Sequence, residues 1–523
     1  MLATSGHLLR LARAGFVLAR EGVFSGIDAS LLPPAAGVPL SLAKLVARRG
    51  AGARADRLAV AIARLGPSYV KLGQFLATRP DLVGPSVVRE LESLQDRMQP
   101  FGRDIAVATI EHAFDAPLAH TFVEFGPPVA AASIAQVHRG KVRDSDGQRE
   151  VAVKVLRPGV ERRFRRDLSD MYFAARLAQK YLPDAARLKP VEVMDTLARS
   201  VTIEMDFRLE AAAASEFAEN VARDDDFRVP QVDWERTAKD VLTMEWVEGT
   251  PLSDLEALKR SGRDLPKLGA TVIQSFLRHA MRDGFFHADM HQGNLFMDAQ
   301  GRLVAVDFGI MGRLGVKERR FLAEILFGFI TRDYRRVAQV HFDAGYVPAV
   351  HSVEDFAQAI RAIGEPIHSR TADQISMAKL LTLLFEITAL FDMKTRTELV
   401  MLQKTMVVVE GVGRVLDPQL NMWATSEPVV RGWIEDNLGP VGKLRDAGQG
   451  IAGFARLIGD LPVLAGRAEA LVAALDQAIA KGVPFSAASI EAIGKAEARR
   501  ARWGNLALWV IAALLGWIVL RGV

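Results

Sequence analysis

The chain has 523 residues, half of them hydrophobic and 7% aromatic, which is too long for one ordinary core and points to two lobes with appendages built largely from Ala- and Leu-rich helices. It contains no cysteine, so disulfides, zinc-thiolate sites, Cys-ligated iron–sulfur clusters and cysteine nucleophiles are excluded, while a reducing compartment is allowed. A formal net charge of +4 is small for this length and argues weakly for anionic membrane surfaces and against a nucleic-acid partner.

Residues 1–30 show no small-residue cleavage site after an apolar core, so no signal peptide is expected. At helical spacing Leu8, Leu11 and Leu18 fall on one side and Arg10, Arg13 and Arg20 on another, with Leu9, Phe16 and Val17 blurring the pattern. Such a basic amphipathic helix docks on its own domain or lies on a membrane, and docking is the simpler reading. After the Pro33-Pro34 break, Pro67 marks a helix start that puts Lys71 and Gln74 on one face. A surface pair would explain them equally well.

Two alternating apolar runs, Ala130–Gly140 and Val151–Val155, flank the turn Asp144-Ser145-Asp146-Gly147 and read as a β-hairpin. Lys154 then stands in a V-A-V-K strand, where a kinase places the lysine that pairs with the α/β-phosphates. The loop Ala130-Ala131-Ala132-Ser133 is alanine-rich where a kinase carries glycine. Its N–H groups can still meet phosphate, but the Cβ atoms restrict positive φ and hold the backbone further from the nucleotide.

The helical stretch Ile203–Ala211 supplies acids for these lysines. Asp206 and Glu210 are placed on one face at i,i+4 and Glu204 elsewhere, which assigns Glu210 to Lys154 and Glu204 or Asp206 to Lys71. Further on, the apolar run Val241–Met244 ends in Glu245-Trp246-Val247-Glu248-Gly249. Between the lobes of a kinase this is the hinge, and the backbone around Glu245–Val247 would hydrogen-bond adenine.

His287-Ala288-Asp289-Met290-His291-Gln292-Gly293-Asn294 leads into Leu295-Phe296-Met297, a turn at Asp298–Gly301, and Leu303-Val304-Ala305-Val306-Asp307-Phe308-Gly309. The two apolar runs read as a second hairpin, whose antiparallel pairing returns Asn294 and Asp307 to the same end, within reach of Asp289. Oxygen-bearing side chains then converge where Mg²⁺ and the polyphosphate of ATP would sit, with Asn294 and Asp307 as metal ligands and Asp289 facing the attacking nucleophile. H-x-D-x-x-x-x-N followed by D-F-G, in this order, is the pattern of protein-kinase-like phosphoryl transfer.

Taken together, K-x-G-Q at Lys71–Gln74, the Ala-rich loop, V-A-V-K at Lys154, E-x-D at Glu204–Asp206, H-A-D-M-H-Q-G-N at His287–Asn294 and D-F-G at Asp307 resemble the UbiB-type atypical kinases. These are ubiquinone-biosynthesis ATPases related to the mitochondrial ADCK proteins. The motifs are collinear over roughly residues 60–310, and the K-x-G-Q and Ala-rich elements separate this family from ordinary protein kinases. The resemblance implies that the Lys71 helix, with Lys71, Gln74, Glu204 and Asp206, lies over the active site and blocks protein substrates. It also implies ATPase activity that supports processing of a membrane lipid or polyprenyl quinone precursor, beside other ubiquinone-biosynthesis enzymes.

From Asp307 to Ile330 there is no Ser, no Thr and no A-P-E, so the protein-kinase activation segment is absent from the sequence. Residues 314–440 read largely as helices, with Phe321, Leu322, Ile325, Leu326 and Phe329 forming an apolar face. Gly448-Gln449-Gly450-Ile451-Ala452-Gly453 matches G-x-G-x-x-G, but no strand precedes it, which speaks against a dinucleotide site. Leu506–Leu520 is uncharged and apolar, and with Trp503 it approaches the roughly 20 residues that span a bilayer. Arg499, Arg500 and Arg502 outnumber Arg521, which would leave the catalytic part cytoplasmic on an inner membrane. Family members often carry two C-terminal spans, and a single one here leaves a homodimer or a tilted insertion open.

The resulting expectation is an α+β, two-lobed protein-kinase-like fold with an N-terminal helical extension and a C-terminal transmembrane helix. Its parts are the extension at 1–110, an N-lobe at 111–249, a C-lobe at 250–440, a helical linker at 441–502 and a span at 503–521. The expected activity is ATP hydrolysis or phosphoryl transfer to a small lipid-like acceptor. The alternative is a nucleotide-gated lipid-binding or chaperone module with little chemistry.

Overall fold

The computed structural model describes residues 2–26, 57–77, 99–181 apart from 146, 189–368 and 397–439, with isolated residues between 41 and 48, 83 and 94, and 387 and 393. These belong almost entirely to the first of two units, Met1–Asp436. The linker 441–502, the glycine pattern at Gly448–Gly453 and the apolar run Leu506–Leu520 lie outside the described residues. Among the described residues no helix is long and apolar enough to cross a membrane.

The first sheet is antiparallel, in the order β1 (Glu124–Ala131), β2 (Ala135–Asp144), β3 (Gly147–Leu156) and β5 (Val241–Glu245). The β2–β3 hairpin closes between Asp144 and Gly147, as the turn residues dictate. Strand periodicity sends Val151, Val153 and Val155 to one side, where they are fully buried with Phe125, Val142 and Ile110 under the helix Arg103–Phe114. It sends Lys154 to the other side, toward the rest of the molecule.

That other side is the main core, built from the helices Phe207–Val221 and Leu265–Arg278, the β8–β9 hairpin (Leu295–Asp298 and Leu303–Ala305), and the helices Val316–Ile330 and Thr397–Leu416. The hairpin is extended by β6 (Gly249–Pro251) on one edge and by β4 (Phe227–Arg228), parallel, on the other. The helix Val316–Ile330 sits between two cores. Leu322 and Leu326 enter the main one, whereas Ile325 and Phe329 pack on Tyr334, Val337, Phe356 and Ile360 of the next two helices.

The N-terminal helix, Leu2–Arg20, docks on the helix Val160–Tyr181, with Leu11 and Leu18 of its apolar side half-buried. Arg10 Nε reaches the buried Asp170 at 2.6 Å, and Ala14 and Ala19 are buried, while Leu8, Leu9 and Phe16 are exposed. A buried carboxylate needs a cationic partner more than a leucine needs cover, and this sets the rotation of the helix.

Candidate active site

Ile203–Ala211 is two helices, contrary to the single stretch expected from sequence. Pro190–Glu204 ends at Met205, and Asp206 caps Phe207–Val221 by accepting from the Arg208 N–H at 3.2 Å. A short polar side chain that satisfies an otherwise unpaired N–H favours a new helix start over continuation. Asp206 also binds the Arg208 guanidinium at 2.6 Å. Of the two acids offered to Lys71, the structure therefore uses Glu204, whose Oε2 lies 2.7 Å from Lys71 Nζ.

Lys71 projects from the helix Pro67–Ala77, which packs Tyr69, Leu72 and Phe75 on the main core. Its motif glycine has a packing reason. A Cβ at Gly73 would come within 2.4 Å of Leu94 Cδ1 and 3.4 Å of Leu91 Cδ2. Gln74 follows on this helix, half-buried. The Lys71 charge is felt at Asp307, whose carboxyl it helps to keep ionised.

On β3, Lys154 Nζ lies 2.7 Å from Glu210 Oε1 and 3.4 Å from Asp307 Oδ1. Burial opposes the lysine charge, but the two carboxylates outweigh it and raise its pKa. The carboxylates differ in surroundings: the Glu210 side chain is 7% exposed and that of Asp307 46%. Burial pushes Glu210 up to about 7 against the pull of Lys154. Asp307 is held well below the usual carboxylate range by Lys154 and by the Gly309 N–H, which donates to Oδ1 at 3.0 Å, overcoming the opposing effect of burial. One lysine thus serves two acids, and the more buried acid carries the cost.

The second hairpin forms with the expected pairing, Leu295 opposite Ala305 and Met297 opposite Leu303. The Asn294 carbonyl accepts from the Val306 N–H at 3.1 Å, so Asn294 and Asp307 leave the same end. Asn294 Nδ2 donates to the Asp289 carbonyl at 3.1 Å and reaches Asp289 Oδ2 at 3.4 Å. With its nitrogen so engaged, the Asn294 amide oxygen is left to face a cation. No cluster of three or more His, Cys, Asp or Glu able to hold a metal exists among the described residues. A pair of oxygen ligands fits Mg²⁺, which keeps water and phosphate oxygens in its remaining positions.

His287 does more than the motif shows. Its Nδ1 accepts from the Asp289 N–H at 3.1 Å and its Nε2 meets the Asp307 carbonyl. Burial lowers its pKa, so a neutral ring with the proton on Nε2 satisfies both contacts and ties the loop of Asp289 to that of Asp307. Phe308 is buried, edge-on to His287 and against Phe217 of the Glu210 helix. After Gly309 only Ile310 precedes the strand β10 (Met311–Arg313), which pairs with β7 (Phe285–His287), and the next helix begins at Val316. There is no room for an activation segment.

Two expectations change in detail. Ala130 and Ala131 are paired in the ladder opposite Val137 and Gln136, and the Ala132 N–H is spent on the Ala135 carbonyl at 2.8 Å. The Ala-rich element is a tight hairpin tip, none of Ala130–Ser133 takes positive φ, and the Ser133 side chain is buried. Arg157 pins the tip by donating to the Ala132 and Gln99 carbonyls at 3.3 and 3.1 Å. At the hinge, the Glu245 N–H donates to Gln231 at 2.8 Å and that of Trp246 to Glu150 at 3.2 Å, while the Glu245 carboxylate binds Arg228 at 2.9 Å. Val247 alone keeps an N–H that meets no acceptor among the described residues. Neither Arg157 nor His287 could be assigned a partner from sequence, because both bridge segments far apart in the chain.

Residues 93–341 match the family described as the ABC1 atypical kinase-like domain, and residues 360–421 match the UbiB helical domain. A protein of Marinobacter nauticus named "Probable protein kinase UbiB" is 40% identical over 84% of this chain and 81% of its own length. One of the same name from Aliivibrio salmonicida is 38% identical over 78% of this chain and 76% of its own. A solved erythromycin complex from Mycobacterium tuberculosis is 26% identical, with a TM-score of 0.45 over 70% of this chain and 93% of that one. With a kinase-like fold of mixed helices and sheets, and with relatives this similar over most of their length, the chain belongs to the UbiB family of ABC1 atypical kinase-like proteins.

Proposed function

We propose that the protein is a membrane-anchored, ATP-dependent atypical kinase or ATPase that supports ubiquinone biosynthesis. The observation that carries this reading is the convergence of Lys154, Glu210 and Asp307 within hydrogen-bonding distance, beside the paired Asp289 and Asn294. Lys154 contacts the α/β-phosphates, and Glu210 holds the lysine in place. Mg²⁺ at Asp307 and Asn294 would neutralise charge on the β/γ-phosphates. Asp289, oriented by Asn294 and His287, accepts the proton of an attacking hydroxyl or water. The Lys71–Glu204 pair packs a helix over this centre, which favours a small acceptor or water over a protein substrate.

A second reading, a nucleotide-gated binder of quinone precursors with little turnover, is favoured by the pinned Ala-rich tip. With the Ala132 N–H already used, fewer donors face phosphate than a Gly-rich loop supplies. Lipid profiling of a deletion strain complemented with Asp307→Asn tests the shared premise: quinone synthesis is expected to stay lost. Full restoration by this variant would remove the nucleotide site from the function.

A further inference from the structure

The helical region that follows the kinase-like part reaches back to the catalytic loop. Thr405, on the helix Thr397–Leu416, is fully buried. Its Oγ1 lies 3.0 Å from the carbonyl oxygen of Ala288 and 2.8 Å from that of Met401. A hydroxyl has one proton, so the two carbonyls share it. The Met401 carbonyl belongs to the preceding turn of the same helix, whereas Ala288 is 117 residues away in sequence and next to Asp289. Ala288 is itself buried, and its N–H is taken by the Ile310 carbonyl at 3.0 Å. Thr405 and Ile310 therefore hold the two polar groups of the residue that presents Asp289.

A second contact repeats the arrangement one step upstream. The segment entering the loop passes through a π-helix, His279–Asp283. Trp433 Nε1, on the helix Met422–Leu438, donates to the Met281 carbonyl there at 2.9 Å. The approach to Asp289 is thus gripped at two carbonyls by helices that lie beyond residues 93–341, the extent of the kinase-like match.

We propose that Thr405 is a positioning residue for Asp289, and that the helical region is part of the catalytic scaffold as well as an outer layer. This rests on the reading of Asp289 as the residue that orients the nucleophile. Without the hydroxyl, the buried Ala288 carbonyl has lost a donor, and the Ala288–Asp289 peptide is held only by its Asp289 N–H on His287 Nδ1. It can then tilt about that bond and carry Asp289 with it while Lys154 and Glu210 stay in place.

The test compares Thr405→Val, Thr405→Ala and Thr405→Ser in the full chain, measuring Mg-ATP turnover, Mg-ATP binding and thermal melting. Valine keeps the volume, alanine relieves any crowding should the valine variant fail to fold, and serine restores the donor. The expected result is a fall in kcat of about tenfold for valine and alanine. Nucleotide affinity should remain within about twofold, and serine should recover most of the turnover. Unchanged kcat in the valine or alanine variant, with or without a lower melting temperature, overturns the proposal and leaves Thr405 a packing residue. Wild-type protein that shows no turnover overturns the reading of Asp289 beneath it, which separates the two failures.

Discussion

Glu210 and Asp307 show how one lysine divides its charge between two acids. Asp307 is depressed, so its contribution to stability is present above the usual carboxylate range and lost in acid. Glu210 runs the other way. Its folded pKa of about 7 stands above the ordinary 4.5, so its contribution is full below 4.5 and is lost as pH rises through about 7. Glu210→Gln removes the titration while keeping the side-chain shape. The melting temperature of the wild type, relative to that of this variant, is therefore expected to fall between pH 5 and pH 8. Parallel profiles would mean that Glu210 is ionised throughout. The pairing of Lys154 with Glu210 was legible because a strand lysine and a helix acid at these motif positions have few other partners. The division of burial between the two acids was not, since it depends on packing by Phe308 and the Glu210 helix.

At the scale of elements, hairpins were the most legible features. The Asp144–Gly147 and Asp298–Gly301 turns set both registers, and period-2 burial placed Lys154 on the face opposite Val153. What sequence periodicity missed was the break at Met205–Asp206. A helical pattern reads straight through it, and only the capping bond of Asp206 reveals two helices. Asp206→Ala is expected to cost about 1 kcal/mol, the usual loss for a helix cap, with a larger share if the exposed Arg208 pairing contributes. Unaltered stability in denaturant would show that the break is held by packing alone. The turn into β7 is stricter. Gly284 sits at φ +67, and a Cβ there would meet the Leu314 carbonyl at 2.5 Å. Gly284→Ala should destabilise by about 1–3 kcal/mol and lower turnover, because strain at this point shifts the strand that leads to Asp289. A variant as stable and active as wild type would place the turn outside the catalytic support.

For the whole molecule, the sequence motifs mark the candidate centre and the Lys71 helix beside it, whereas the supports from Arg157 and Thr405 come from chain-distant segments that no motif contains. Long-range contacts of this kind leave no local pattern, and the bond from Arg10 to the buried Asp170, by which the N-terminal helix docks, is another that helical spacing did not reveal. The anchor is a separate matter. If the uncharged, apolar run Leu506–Leu520 is the anchor proposed above, truncation before Arg502, well beyond the kinase-like match at 93–341, is expected to release a folded protein from the membrane fraction. Retention after a salt wash would move the anchor elsewhere, to the exposed Leu8, Leu9 and Phe16 first. The most direct test of the central claim is Mg²⁺-dependent phosphate release from ATP by the purified chain, beside Asp307→Asn and Asp289→Asn. Turnover in the wild type, loss of Mg-ATP binding in Asp307→Asn, and binding without turnover in Asp289→Asn are expected. Equal turnover in all three proteins would contradict the account, because the hydrolysis would then not occur at this site.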